Sequence, residues 1–136
     1  MSRAETDNHA FPGARGSIRT LLRLEGLALL VASVVGYALI GSSWWLFAIL
    51  FLAPDLTFVA FSFGPRVGAI AYDAAHTTIG PAIAIVIGLV VGVDILVAVG
   101  LIWTAHIGMD RAIGYGLRYP ASFQHTHLGR VGKTPT

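Results

Sequence analysis

The sequence predicts an all-α integral membrane protein: a four-helix bundle with both termini in the cytoplasm. Three observations carry that expectation. Of its 136 residues, 55% are hydrophobic and 12% charged, where a soluble domain carries about 25% charge. Four apolar stretches each run about 20 residues or more, enough to cross roughly 30 Å of hydrocarbon. The basic residues all fall on one side of the four spans, and the positive-inside rule makes that side cytoplasmic. A mean hydropathy of +0.73 fits the same class.

Residues 1–17 read as a polar tail interrupted by acidic residues and Pro12. They lack the pattern of a cleaved leader. The first span is expected over about 21–40, followed by the turn Gly41-Ser42-Ser43. The second covers 44–63, with Trp44 and Trp45 as interfacial anchors. Gly64-Pro65-Arg66 ends it. The third runs over about 67–91 and should kink at Pro81, which lacks a backbone donor. Gly92-Val93-Asp94 is the next turn. The fourth covers about 95–117, and 121–136 form a cytoplasmic tail. The spans thus make one domain, residues 18–120. Backbone groups must be paired within lipid, so these stretches should be helices.

Arg3, Arg15, Arg19 and Arg23 precede or open span one. Arg66 separates spans two and three, while Arg111, Arg118, Arg130 and Lys133 lie at or after the end of span four. The calculated pI near 9.4 therefore reflects topology rather than a nucleic-acid partner. The partner is the lipid bilayer, and the location is the inner (plasma) membrane, crossed several times. Gly26, Ala28, Ala32, Ser33 and Gly36, with the G-x-x-x-G of Gly88 and Gly92, supply small residues for close helix packing. Packing within the bundle is the first use, and a homodimer the alternative.

The chain has no cysteine, which excludes disulfides and thiolate metal sites. P-loop, G-x-S-x-G and H-E-x-x-H patterns do not occur. What the spans do hold is a set of ionisable groups that cost several kcal/mol in a bilayer unless paired or bound to a cation. Glu25, Asp55, Asp73, His76, His106, Asp110 and Arg111 form that set. His106 and Asp110, four apart, share a helix face; Asp73 and His76, three apart, do likewise. Counting from Arg66 and Arg118 puts Asp55, His76 and His106 at a similar depth, about 15 Å from the cytoplasmic ends. Asp73 and Asp110 lie about a turn nearer the cytoplasm.

Mixed His and carboxylate groups suit zinc, manganese or iron, with zinc first. A hydrogen-bonded network tying the helices together, or an ion pathway, would use the same residues. Glu25 and Asp73 are candidate catalytic bases. Arg111, Tyr115 and His127 are candidate substrate contacts, with Arg111 pairing with Glu25 or Asp73. Tyr72, Tyr115 and Tyr119 also suit interfacial anchoring.

Several segments together resemble the domain-of-unknown-function family 4260. These are Leu22-Arg23-Leu24-Glu25-Gly26, Ala53-Pro54-Asp55-Leu56, Gly64-Pro65-Arg66-Val67-Gly68, Ala75-His76-Thr77, Ala105-His106-Ile107-Gly108-Met109-Asp110-Arg111, Gly114-Tyr115-Gly116-Leu117-Arg118-Tyr119-Pro120 and Thr126-His127-Leu128-Gly129. The resemblance covers about residues 20–132 and implies a small bacterial inner-membrane protein.

Pro54-Asp55, His76-Thr77 and His106 to Asp110 also resemble, in order, three elements of YdjM-type membrane-bound metal-dependent hydrolases. That resemblance implies Asp55, His76, His106 and Asp110 as metal ligands. Thr57 and Tyr72-Asp73 depart from its pattern. The functions in view are then a metal-dependent hydrolase acting on a lipid-linked or phosphoester substrate, a small ion, proton or metabolite transporter, and a non-catalytic membrane scaffold.

Overall fold

The computed structural model describes residues 16–116, 118–119, 122–126 and 128–130. Four helical runs, Gly16–Ile40, Trp44–Phe63, Pro65–Val91 and Asp94–Ile113, are long and apolar enough to cross a membrane. Helix α1 is Gly16–Ile40. It begins inside the stretch expected to be tail, so Arg19 and Arg23 are helical.

The second run is composite. Helix α2, Trp44–Phe51, gives way to a 3₁₀ helix over Ala53–Phe63. Such helices rarely exceed three or four residues. Pro54 stands in its first turn, where a missing donor costs little. The hydroxyls of Thr57 and Ser62 donate to the carbonyls of Pro54 and Val59, three residues back, at 2.7 and 2.6 Å. That is the direction in which a 3₁₀ ladder bonds. At about 2.0 Å per 3₁₀ residue the run reaches roughly 35 Å, longer than 20 α-helical residues would.

The third run is broken rather than kinked at Pro81. Helix α3 is Pro65–His76 and helix α4 is Ile79–Val91. The interruption falls at Thr77, whose backbone is extended with ψ 149°. A proline ring clashes with the carbonyl four residues earlier, and for Pro81 that residue is Thr77. Extending Thr77 removes the clash and leaves Pro81 in the first turn of α4. The effect of the proline is thus displaced one turn toward the N-terminus. The ladder resumes with the Ala82 amide donating to the Thr78 carbonyl at 3.1 Å.

Helix α5, Asp94–Ile113, ends four residues before the expected 117. Gly114 adopts a left-handed φ of 99°. The amides of Gly114 and Tyr115 donate to Arg111 and Asp110 carbonyls at 3.1 and 2.7 Å, a glycine-terminated Schellman cap. Arg23 adds its Nε–H to the Ala112 carbonyl at 2.9 Å, placing a cation at the negative end of the helix dipole. Beyond it, β1 (Arg118–Tyr119), with β2 (Ser122–Thr126) and β3 (Gly129–Arg130) in the region expected as plain tail, forms a small antiparallel sheet. The sheet rests against α3.

Helix α5 is the centre of the bundle. Half of its apolar window is buried, against none for Trp44–Phe63, and it packs chiefly on α1 and α4. Small residues set those contacts. A Cβ on Gly26 would stand 2.6 Å from Arg111 Cβ, and one on Gly108 2.6 Å from the Leu30 amide nitrogen. A Cβ on Gly88 would meet Val97 at 2.7 Å. Gly26, Ser33, Gly36 and Gly88 therefore serve packing within the chain, whereas Ala28 and Ala32 are exposed, and Gly92, with φ 76°, caps α4. Outward, Leu39, Trp45 and Val90 are at least 80% exposed, as suits side chains that meet lipid rather than water.

Candidate metal centre

Three elements deliver four ligand-type side chains to one point. Asp55 is the third residue of the 3₁₀ helix, His76 the last of α3, and His106 and Asp110 lie one turn apart on α5. One ligand atom from each lies within 4.8 Å of all the others. His76 Nε2 is 3.4 Å from both Asp55 Oδ1 and Asp110 Oδ2. His106 Nε2 is 3.2 Å from the same two oxygens. The two Nε2 atoms are 3.2 Å apart.

These distances test whether the group suits a metal. Five edges of the four-atom figure measure 3.2 to 3.4 Å. A regular tetrahedron with such edges has its centre about 2.0 Å from each corner, the length of zinc bonds to imidazole nitrogen and carboxylate oxygen. The sixth edge, between the carboxylate oxygens, is at most 4.8 Å. Stretching it to that bound moves the equidistant point to about 2.4 Å, longer than zinc bonds to imidazole, and opens the angle between the two carboxylate oxygens well beyond tetrahedral.

Proton bookkeeping gives a second test. His76 Nδ1 lies 2.8 Å from the Tyr72 carbonyl. A carbonyl only accepts, so Nδ1 carries a proton and Nε2 is the ring atom turned into the cluster. Nε2 then faces two carboxylate oxygens and a second imidazole nitrogen. His106 has one Nε2 proton at most to share among them. A cation at the centre removes the conflict, and two carboxylates with a divalent ion sum to zero charge, the cheapest total in low dielectric. The donor set fits a divalent metal.

The surroundings hold the ligands in place. Tyr72 is 1% exposed, so it is a core residue and not the interfacial anchor expected. Its ring stacks on His76 with centroids 3.7 Å apart and planes 9° from parallel. One residue thereby fixes both the tautomer and the plane of His76, the usual task of groups behind a metal ligand. The missed signal was the four-residue spacing of Tyr72 and His76 on one helix. Phe51 meets the His106 ring edge-on at 5.4 Å. Among the described residues no hydrogen-bond partner within bonding geometry meets the buried His106 Nδ1, although the Phe51 backbone interacts with the ring. Burial is uneven. His106 and His76 side chains are 0% and 4% exposed and Asp110 11%, but Asp55 is 36% exposed, which makes it the accessible edge.

The remaining candidates stand apart from the four. Glu25 is exposed on α1, and its charge acts on Arg111 across the α1–α5 contact. Asp73 is half-buried on α3, outside the group of four. Tyr115 is exposed just past the cap of α5. His127 lies outside the described residues.

Fold and site together define a class: a helical protein with four runs long and apolar enough to cross a membrane and a cluster of two histidines and two aspartates, of which Asp55 alone is accessible. A family model described as "Domain of unknown function (DUF4260)" matches residues 19–131, and the chain belongs to that family. No curated protein and no solved structure gives a match.

Proposed function

We propose that this is an inner-membrane protein with both termini cytoplasmic, whose divalent metal centre hydrolyses a lipid-linked or phosphoester substrate. The observation that carries the reading is the convergence of Asp55, His76, His106 and Asp110, five of whose six ligand-atom separations are 3.2 to 3.4 Å, on a point about 2.0–2.4 Å from each atom. The order of Pro54-Asp55, His76-Thr77 and His106 to Asp110 along the chain supports the same assignment. Zinc is the first choice, ahead of manganese and iron, because imidazole nitrogen and carboxylate oxygen are both ordinary zinc ligands.

When bound, such a metal supplies Lewis-acid polarisation of an ester or phosphoryl oxygen and an acidified water. The chain's own residues do the rest. His76, His106 and Asp110 form a buried wall, and Asp55 is the edge from which a substrate is reached. Asp73, three residues before His76 on α3, is the nearer of the two candidate bases in sequence; Glu25 is exposed on α1. Arg111, Tyr115 and His127 remain candidate contacts for the polar part of the substrate.

The number of protein ligands favours one second reading. Structural zinc sites take four protein ligands, whereas catalytic ones keep a position open. A scaffold in which the metal only locks the 3₁₀ helix and α3 to α5 would use this same set. Metal analysis of the purified full-length protein is the first test. About one zinc per chain is expected, lost on chelation and regained on titration. Protein that neither carries nor takes up a divalent metal would remove both readings. Slow exchange of the bound metal, with no hydrolysis of phospholipid or phosphoester panels, would select the scaffold.

A further inference from the structure

Beside the cluster lies an apolar groove of about 230 Å³. Every element that supplies a ligand also supplies its lining. Pro54 precedes Asp55, Ala75 precedes His76, and Ile102 and Trp103 lie about one turn before His106; Leu50 and Val99 extend the groove farther along the same two runs. Nearly all of this lining precedes its ligand in sequence on the 3₁₀ run and on α5. On those two runs it is displaced toward Trp44 and Asp94, away from Arg66 and Arg111. The groove therefore starts at the sequence neighbours of Asp55 and His76 and runs toward the end of the bundle opposite the basic residues.

Two lining side chains carry polar hydrogens, and both are already committed. The Thr57 hydroxyl donates to the Pro54 carbonyl at 2.7 Å, and Trp103 Nε1–H to the Ala75 carbonyl at 2.5 Å. A polar occupant would find no side-chain donor free and would lose its hydration without compensation. An alkyl chain loses nothing by entering. We propose that the groove binds one alkyl chain of a membrane lipid, so that the metal centre acts on a lipid and not on a soluble phosphoester. The inference rests on the hydrolase reading above: it sets the scissile bond at Asp55, His76, His106 and Asp110 and the chain against Trp103.

Trp103 offers a direct test, since the chain has three tryptophans and the other two are Trp44 and Trp45. The Trp44→Phe, Trp45→Phe protein in nanodiscs leaves Trp103 as the sole emitter. Titration with 12-bromododecyl phosphate should quench it saturably. Dodecyl phosphate should reverse the quenching, and inorganic phosphate at the same concentration should not. Filling the groove with Ala53→Phe, at an exposed lining position, should raise the half-saturating concentration at least tenfold. Ala75→Leu fills it independently from α3 and should do the same. Quenching that rises linearly with probe content, unchanged in both variants, would mean that Trp103 meets only bulk lipid and would overturn the inference. Displacement by inorganic phosphate as effective as by dodecyl phosphate would also overturn it. Zinc content measured on the same samples separates the two claims. Full zinc without saturable quenching sinks the chain site alone. Saturable quenching in protein that takes up no zinc upholds the chain site and sinks the metal reading.

Discussion

Replacing His106 by Gln is the sharpest probe of the centre. His106 is fully buried, and Gln keeps similar volume and an amide that hydrogen-bonds, so the bundle should tolerate it. What disappears is the imidazole lone pair that lies 3.2 Å from both carboxylate oxygens. Structural zinc binds with about 10–16 kcal/mol when four ligands cooperate, so each ligand accounts for about 2.5–4 kcal/mol. At about 1.4 kcal/mol per decade, the variant should bind zinc about 10²–10³-fold more weakly. His76→Gln should lose a similar amount, because it also frees the Tyr72 carbonyl. Tyr72→Phe is the control. Its carbonyl and stacked ring both survive, so affinity should stay within about threefold, well below the effect of losing a ligand or its orienting partner. Competition against a chromophoric chelator measures all four proteins. Equal zinc affinity in wild type and both Gln variants would refute the assignment and leave a hydrogen-bonded network.

Three further outcomes are expected. Zinc affinity should fall as pH falls, because protons compete for the imidazole and carboxylate lone pairs; titration calorimetry in two buffers of different ionisation enthalpy should show proton release on binding, and a buffer-independent heat would count against direct ligation. Gly108→Val should destabilise the α1–α5 contact by about 1–3 kcal/mol, since its Cβ would stand 2.6 Å from the Leu30 amide nitrogen; a thermal melt in detergent checks this against Gly36→Ala, whose Cβ would make only ordinary contact with Leu101 at 3.5 Å. Reporter fusions should show a fluorescent cytoplasmic protein active after residue 136 and alkaline phosphatase active after residues 42 and 93; the reverse pattern would invert the orientation.

The spans were legible because lipid demands long apolar runs, and the basic residues marked their ends. The site was partly legible for a different reason: an ionisable group in such a run is expensive, so Asp55, His76, His106 and Asp110 announced themselves by position. Their convergence was estimated only by counting residues. That count assumed α-helical rise for Asp55, whereas Asp55 lies in a 3₁₀ helix. Nothing in hydropathy separates 3₁₀ from α, since both satisfy the backbone; the local cue was Thr57 and Ser62 bonding back to carbonyls at Pro54 and Val59. Tyr72 was misjudged because an aromatic near a span end reads as an anchor until the tertiary contact is known. The end of α5 was set four residues early by Gly114, a glycine cap that the apolar run alone conceals.

Two of the four ligands come from places where a proline disturbs a helix, and two come from the undisturbed α5. Asp55 follows Pro54 at the start of the 3₁₀ helix, and His76 ends α3 immediately before the break that Pro81 imposes at Thr77. The bundle centre is thus a fixed pair, His106 and Asp110, met by two side chains carried on helix irregularities. Pro81→Ala tests whether the break serves the site. The substitution restores an amide to the Thr77 carbonyl and lets α3 run on into α4. Thr77 would then exchange its ψ of 149° for a helical value, turning the end of α3. His76 Nε2 has 3.2 to 3.4 Å contacts to three partners, and a shift of about 1 Å takes it beyond bonding reach of a common centre. Zinc affinity should fall about 10–100-fold, as for lost orienting contacts behind a ligand, while the melting temperature of the metal-free protein holds or rises because a helix-breaking residue has gone. An unchanged zinc affinity with a raised melting temperature would mean that the break serves packing alone and that His76 is positioned by Tyr72.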